Sequence, residues 1–362
     1  MKREIYFLLL LILLVGCKES KLDEPRTLFA NKSYSESRIA YHAVATKAIF
    51  YGEKFKSLLG LAWASYQEAN YKQTIEICNK LQNEYQQTRL DDWIILLRGF
   101  ALFARSDYRL ASESFHKVTL FTKTLFMEDA VFMEARCQEK SGEYDKAVDN
   151  YKLFLKKYHT PIYYRDAFIG LWCSLDMLGK KEETYEVLNA YVKNFKDASL
   201  DPALDYKLGK LAEELNRQEE SIEHYKEFLS RSEKNDTVAE VLYYLGKTYE
   251  SHNMDKTAFE NYLLLLRMFP DTVKRNELHL WCAKYLAKQK DYKESLKHIE
   301  YVYNNPLSDD DYEKSVYYRA NIFDILGDVN HAMLDYAEYL TAAPEGEYYE
   351  QAKKRIQEFQ SR

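Results

Sequence analysis

Five cysteines and eight histidines are the residues of this 362-residue chain best suited to metal or nucleophilic chemistry. Cys78, Cys137, Cys173 and Cys282 stand singly, with no CxxC pair and no cysteine–histidine cluster. They fall within helical patterns, where small apolar residues pack, so buried thiols are expected. The histidines are scattered from His42 to His331, and no HExxH or other metal spacing joins them. A surface or rim position is expected for them. GxSxG, a Walker loop and a Gly-rich dinucleotide turn are all absent. The sequence therefore assigns no catalytic residue, no metal and no cofactor, and points away from an enzyme. Cys17 is different. It follows Leu14-Val15-Gly16, at the end of an apolar run from Ile5 to Val15 that begins just after Lys2-Arg3. That run is too short to span a bilayer, which takes about 20 residues, but it suits the core of a signal peptide.

Stepping past Cys17, the pattern is helical almost throughout. From Leu242 to Pro270, apolar and small residues recur every three or four positions, as on a helix with one buried face. Asn253 interrupts the pattern and Pro270 ends it, which describes two antiparallel helices joined by a tight turn. The same pattern returns along the chain. Small residues of the second helix stand at Thr74, Ala111, Ala147, Thr184, Ser221, Ala258, Ser295 and Ala332, each 37 residues after the last except for one interval of 36. One turn further on come Cys78, Phe115, Tyr151, Leu188, Tyr225, Tyr262, Ile299 and Tyr336. Twelve residues before the anchors come Ala62, Gly99, Ala135, Trp172, Gly209, Gly246, Ala283 and Ala320, among which Trp172 alone is large.

This spacing resembles the tetratricopeptide repeat, a helical hairpin that cannot bury its apolar face without neighbours. The resemblance runs from about Tyr34 to the C-terminus. It implies an all-α fold: a right-handed superhelical solenoid of about eight tetratricopeptide-like hairpins, with no internal boundary. Tyr34–Tyr51 reads as an amphipathic helix with Ile39, Ala43, Ile49 and Phe50 among its apolar positions. Tyr41 keeps it in phase as the second helix of a degenerate first repeat. Glu347–Phe359 reads as a charged C-terminal capping helix. Leu14-Val15-Gly16-Cys17 in turn resembles the bacterial lipobox. That likeness implies lipid transfer to the Cys17 sulfur, cleavage before it, and acylation of the new amine. Multiple acyl chains anchor firmly, since each buried methylene adds about 0.8 kcal/mol. The expected layout is a signal peptide at 1–16, the lipidated cysteine and a flexible tether at 17–32, the solenoid at 33–346, and the capping helix at 347–362. Lys18 after the cysteine favours the outer membrane by resemblance to enteric lipoproteins, facing the periplasm.

The resemblance also places one face of each first helix along an inner groove. Near the N-terminus that groove would carry Trp63, Tyr66, Phe100 and Phe103. Further on it would carry Arg136, Tyr206, Lys210, Tyr243, Lys247, Lys284, Tyr317 and Asn321. Two readings of the aromatic half stay open: a hydrophobic groove for a partner helix, or a surface covered by the helix at Tyr34–Tyr51. Two also stay open for the charged half. Arg136–Glu139, Lys210–Glu213 and Lys247–Glu250 are either solvated i,i+3 pairs worth a few tenths of a kcal/mol, or part of a peptide groove with tyrosine anchors. The 32 tyrosines exceed what the repeat positions need, which favours binding. A net charge of −6 without a basic cluster offers nucleic acid no footprint. The expected function is a lipid-anchored scaffold for protein or peptide partners in the bacterial cell envelope, of the kind that serves outer-membrane or cell-wall assembly. The alternative is a periplasmic accessory protein that binds an apolar small ligand for a transporter.

Overall fold

In the computed structural model, the described residues are 20–361 apart from 86, 87 and 160. The expected signal peptide and Cys17 therefore lie outside the described residues. Everything regular within them is helical, and the fold is all-α. Two compact units divide the chain, one ending at Ala198 and the other beginning at Ser199.

The first unit contains α1 (Ser20–Ala30), α2 (Tyr34–Lys47), α3 (Tyr51–Gln67), α4 (Tyr71–Glu84), α5 (Asp91–Ala104), α6 (Tyr108–Thr119), α7 (Met127–Lys140), α8 (Tyr144–Lys157), α9 (Pro161–Met177) and α10 (Lys181–Asn194). The second contains α11 (Pro202–Glu214), α12 (Gln218–Arg231), α13 (Asp236–Ser251), α14 (Asp255–Met268), α15 (Arg275–Lys288), α16 (Tyr292–Asn304), α17 (Asp309–Leu326), α18 (Val329–Ala342) and α19 (Tyr349–Gln360). Each odd-numbered helix up to α17 pairs with the next as a hairpin. Every hairpin turn holds one residue at positive φ: Lys32, Ala69, Ser106, Gly142, Gly179, Asn216, Asn253, Lys290 and Gly327. A left-handed residue lets the chain reverse directly after a helix end, and its recurrence marks nine hairpins among the described residues.

The sequence ruler coincides with the core. All eight second-helix anchors, Thr74 to Ala332, are buried, and so are all eight residues one turn further on. The small first-helix residues are buried too, except Trp172, which is half-buried. Where this residue is glycine, at Gly99, Gly209 and Gly246, an aromatic ring lies against it. A Cβ on Gly209 would come within 2.6 Å of the Tyr225 ring, and one on Gly246 would overlap the ring of Tyr262. In the first unit Gly60 faces Tyr41 in the same way. Gly170 faces Tyr151, which gives α9 its close approach two residues before Trp172.

Three expectations need correction. The segment read as a flexible tether is, from Ser20 onward, the helix α1, with Leu22 and Phe29 buried. It is the first helix of a ninth hairpin. Pro25 occupies the small-residue position there, and Ser37, the anchor of α2, donates to the Pro25 carbonyl at 2.8 Å. Ser295 makes the same bond to Ala283. Proline removes a helix donor, yet the buried Leu22 and Phe29 on either side of Pro25 hold the turn. Secondly, α2 stops at Lys47 and buries Ser37, Tyr41 and Ala45, leaving Ile39, Ile49 and Phe50 exposed. Thirdly, the array is not without a boundary. The α10–α11 connection begins by folding back onto the first unit: Asp197 pairs with Arg165 at 2.5 Å and Ala198 is buried. At the other end the capping helix is present as α19. It buries Ala352 and Phe359 against α17 and α18 and keeps its charged face outward.

Candidate partner-binding face

On the second unit, the first helices of successive hairpins are linked through tyrosine hydroxyls. Tyr206 on α11 donates to Glu240 on α13 at 3.0 Å, and Tyr243 on α13 donates to Glu277 on α15 at 3.0 Å. Tyr317 on α17 donates to Gln351 on α19 at 2.7 Å. Leu280 holds the missing rung, and the residue that would have received its hydroxyl is Lys314. Donor and acceptor are thus lost together. A second set of hydroxyls acts within hairpins. Tyr225 donates to Glu213 at 2.8 Å and Tyr262 to Glu250 at 3.0 Å; in the first unit Tyr151 donates to Glu139 at 2.6 Å. Burial, and then these carboxylates, push the three phenol groups well above their usual range.

Lysines lie across this ladder. Lys247 reaches Glu250 and Glu277, both at 3.3 Å, and Lys274 reaches Glu277 at 3.5 Å. Lys210 pairs with Glu240 at 3.7 Å, in the next hairpin, while Glu213 receives Tyr225. The i,i+3 partner read from the sequence is thus found for Lys247; Lys210 turns to a residue 30 positions on. Both lysines also approach tyrosine rings, Lys210 over Tyr206 at 5.8 Å and Lys247 over Tyr243 at 5.9 Å. Burial alone would raise Glu277 and lower Lys247. The Tyr243 hydroxyl and then Lys247 hold Glu277 below its ordinary value, and Glu250 and then Glu277 hold Lys247 above its own.

Two clefts flank the Tyr243–Glu277–Lys247 group. One, of about 580 Å³, is bounded by Glu240, Tyr243, Phe269, Val273 and Lys274. The other, of about 360 Å³, lies across α13, α15 and α17, with Lys247, Trp281, Lys284, Lys314 and Tyr318 on its walls. Lys284 is exposed and stands 4.6 Å from the Tyr318 ring centre. Acids share the same walls at Glu277, Asp310 and Asp311. Apolar rings, lysines and acids within a few ångströms suit an extended peptide with mixed charges. Glu240, Glu277, Trp281 and Lys314 were missed from sequence. Aligning the chain on its own 37-residue period would have put Glu240, Glu277, Lys314 and Gln351 in one column.

Other sequence candidates lie elsewhere. Tyr317 is buried, stacked on Tyr348 at 4.1 Å under the capping helix. Asn321 accepts the Tyr336 hydroxyl at 3.1 Å. In the first unit Arg136 is half-buried, 5.8 Å from the Phe132 ring. Trp63 stacks on Tyr66 at 5.7 Å and meets Trp93 at 5.8 Å, while Phe100 packs on Phe115 and Phe103 on Tyr108. These four half-buried rings join their core clusters.

The remaining chemistry is structural. Burial pushes the Cys78, Cys137 and Cys282 thiols up to about 12, which makes them poor nucleophiles. Among the described residues no group of three or more His, Cys, Asp or Glu side chains is placed to hold a metal. His279 and His298 do not occupy the rim expected of them. Their Nδ1 atoms are 2.8 Å apart and His279 stacks on Tyr301 at 4.1 Å.

Stacked hairpins of this length, with the small residues of their first helices buried in the stack, form an all-helical fold similar to that of tetratricopeptide repeats. Residues 128–230 match the family described as Tetratrico peptide repeat. No curated protein matches the sequence. Among solved structures, the apo form of RapI is 12% identical, with 94% of this chain and 98% of that one covered at a TM-score of 0.42. The TPR2AB-domain:pHSP90 complex of yeast Sti1 is 16% identical, covering 73% and 96% at 0.39. The C-terminal part of a TPR repeat-containing protein from Cytophaga hutchinsonii is 15% identical, covering 82% and 98% at 0.33.

Proposed function

We propose that this protein is a docking scaffold for a protein or peptide partner, held at the bacterial cell envelope by lipid on Cys17. The second unit's first-helix face is the docking site. The observation that supports it is the pair of clefts on either side of Tyr243, Glu277 and Lys247. The ladder holds these side chains in place before a partner arrives, so little ordering entropy is lost on binding. The aromatic half of the first unit supports the small-ligand alternative less, because its rings are in contact with one another.

Crosslinking of the full chain in its own envelope, followed by capture, tests the site. Lys247→Glu places a third acid beside Glu250 and Glu277 and should lower capture of the crosslinked partner severalfold, with little change in melting temperature. Equal capture by both forms would reduce the lysine row to ordinary surface ion pairs. Cys17→Ser tests the anchor separately: the protein should leave the membrane fraction, and unchanged fractionation would remove the lipid from the proposal.

A further inference from the structure

In the first unit the helices alternate in direction, so one edge carries the hairpin turns and the other the connections between hairpins. The two edges differ in chemistry. The turns themselves are small and polar, Lys32, Ala69-Asn70, Ser106-Asp107, Gly142-Glu143 and Gly179-Lys180, with Met177 the exposed apolar side chain beside the last of them. Among the described residues of this unit, the connection edge holds seven of the eleven exposed large hydrophobic side chains. Ile49 and Phe50, between α2 and α3, and Tyr51, which opens α3, are 89%, 74% and 65% exposed. Between α6 and α7, Leu120 and Leu125 are 67% and 75% exposed. Exposed apolar side chains scattered singly need no explanation, but a run at two separate loop tips on one edge does.

The first tip is held in place. The Tyr51 hydroxyl donates to the Glu84 carbonyl at 3.2 Å, and its ring lies 4.5 Å from Tyr85. Phe50 sits just before α3 in extended backbone, and its carbonyl accepts the Lys54 amide at 3.0 Å. The next acid along the chain, Glu53, is buried and paired with Lys21 at 3.3 Å, and the half-exposed side chain of Glu84 is paired with Lys80 at 3.9 Å. The Lys21–Glu53 pair shows where the chain enters the fold: the start of α1 lies beside the tip. Exposed lysines flank both loops, Lys47 at the first and Lys117 and Lys123 at the second. The connection between them, with exposed Arg89 and half-buried Asp91 and Asp92, is polar.

We infer that this edge rests on an anionic lipid surface, with Ile49, Phe50 and Leu125 dipping into the headgroup region and the lysines facing phosphate. The inference builds on the proposed lipid at Cys17. That residue is three positions before Ser20, so at about 3.5 Å per residue the tether spans only ~10 Å. Lipid at Cys17 therefore brings this edge, and not the turn edge, to the bilayer. Large apolar side chains with lysines alongside are the composition of interfacial anchors. The edge contact then fixes the orientation of the first unit, which a lone flexible tether would leave free.

The test uses the full chain in vesicles of phosphatidylethanolamine, phosphatidylglycerol and a chain-brominated phosphatidylcholine. Tryptophan is introduced as Phe50→Trp, as Leu125→Trp or, on the turn edge, as Met177→Trp, where the native side chain is 63% exposed. Emission added over the wild-type chain should be quenched by the brominated lipid at positions 50 and 125 and kept at 177. Retention at 50 and 125, or equal loss at 177, would overturn the edge assignment. So would tips shielded from aqueous iodide but untouched by bromine, since a protein would then be covering them. Fractionation of Cys17→Ser separates the two ideas. Release with no quenching at position 50 leaves the anchor standing and removes the edge. Quenching without release keeps the edge and removes the anchor.

Discussion

On α3 the residue after the small position is Trp63, stacked on Tyr66 and against Trp93. On α13 the same position holds Lys247, between Glu250 and Glu277. The two helices share a period, a turn geometry and a buried small residue, and each seats a tyrosine on a glycine, Tyr41 on Gly60 and Tyr262 on Gly246. They differ most in what projects beside the small position. In the first unit the projecting groups are satisfied by packing, and in the second by ion pairs and hydroxyls that leave polar atoms next to open clefts. The backbone frame is therefore indifferent to the chemistry it displays. The partner recognition proposed above is therefore assigned to the unit whose displayed groups are not already consumed by the core.

The harshest way to break this comparison is to attack the frame that both units share. Ala258 is fully buried in the second unit, and Ala111 in the first. Arginine at either site overpacks the hairpin and buries a charge without a partner. The expected loss is about 3–5 kcal/mol, read as a lower urea midpoint. An unchanged midpoint for Ala258→Arg would mean that the anchors do not mark the core.

That frame was legible because its constraint is steric and local. The second-helix anchors recur at intervals of 36 or 37 positions, and each of them proved buried. What sequence missed depends on contacts between hairpins. Pro25 stands on the ruler, but as a helix breaker it hid α1 among the polar residues around it. Lys210 has an acid three residues ahead, yet Tyr225 on the facing helix takes that acid, and Lys210 turns to Glu240. The division at Ala198 leaves no trace in the period, since the turns at Gly179 and Asn216 keep the usual spacing across it. The face of α2 was misjudged because Ile39 and Ile49 are apolar but exposed, whereas Ser37 is buried by its bond to Pro25.

A gentler probe of the frame asks how rigidly each unit holds its rings. Gly60→Ala and Gly246→Ala each put a methyl group into a tyrosine ring, Tyr41 or Tyr262. Tyr262 is fixed by Glu250 at 3.0 Å and by Trp281 at 4.9 Å. Overpacking should cost about 1–3 kcal/mol, more at Gly246 because its ring has less room to yield. Gly52→Ala is the control: nothing lies within 4 Å of its Cβ, and alanine in a helix gains up to about 1 kcal/mol. Thermal melts should therefore move down for the first two variants and up for the third. If Gly246→Ala melted no lower than Gly52→Ala, the ring contact would not be limiting in the second unit.

The smallest effect sharpens the comparison through pH. The second unit contains the His279–His298 pair on α15 and α16, at positions where α3 and α4 carry Leu58 and Ile77. Burial, then His298 and Arg275, pull His279 down from 6.5 to about 4. Burial also lowers His298, against the opposing pull of Glu294. Both rings are therefore held neutral, and at 2.8 Å one Nδ1–H donates to the other Nδ1 lone pair. Since the folded value lies below the unfolded one, this stability is complete above about pH 6.5 and drains away as pH falls toward 4. Discounted for partial solvent exposure, the loss is on the order of 1 kcal/mol. His279→Leu restores the side chain found at Leu58 and removes one of the two titrations. Wild type should lose more melting temperature than the variant between about pH 7 and pH 5. Parallel curves would show that burial of the pair does not bear on stability.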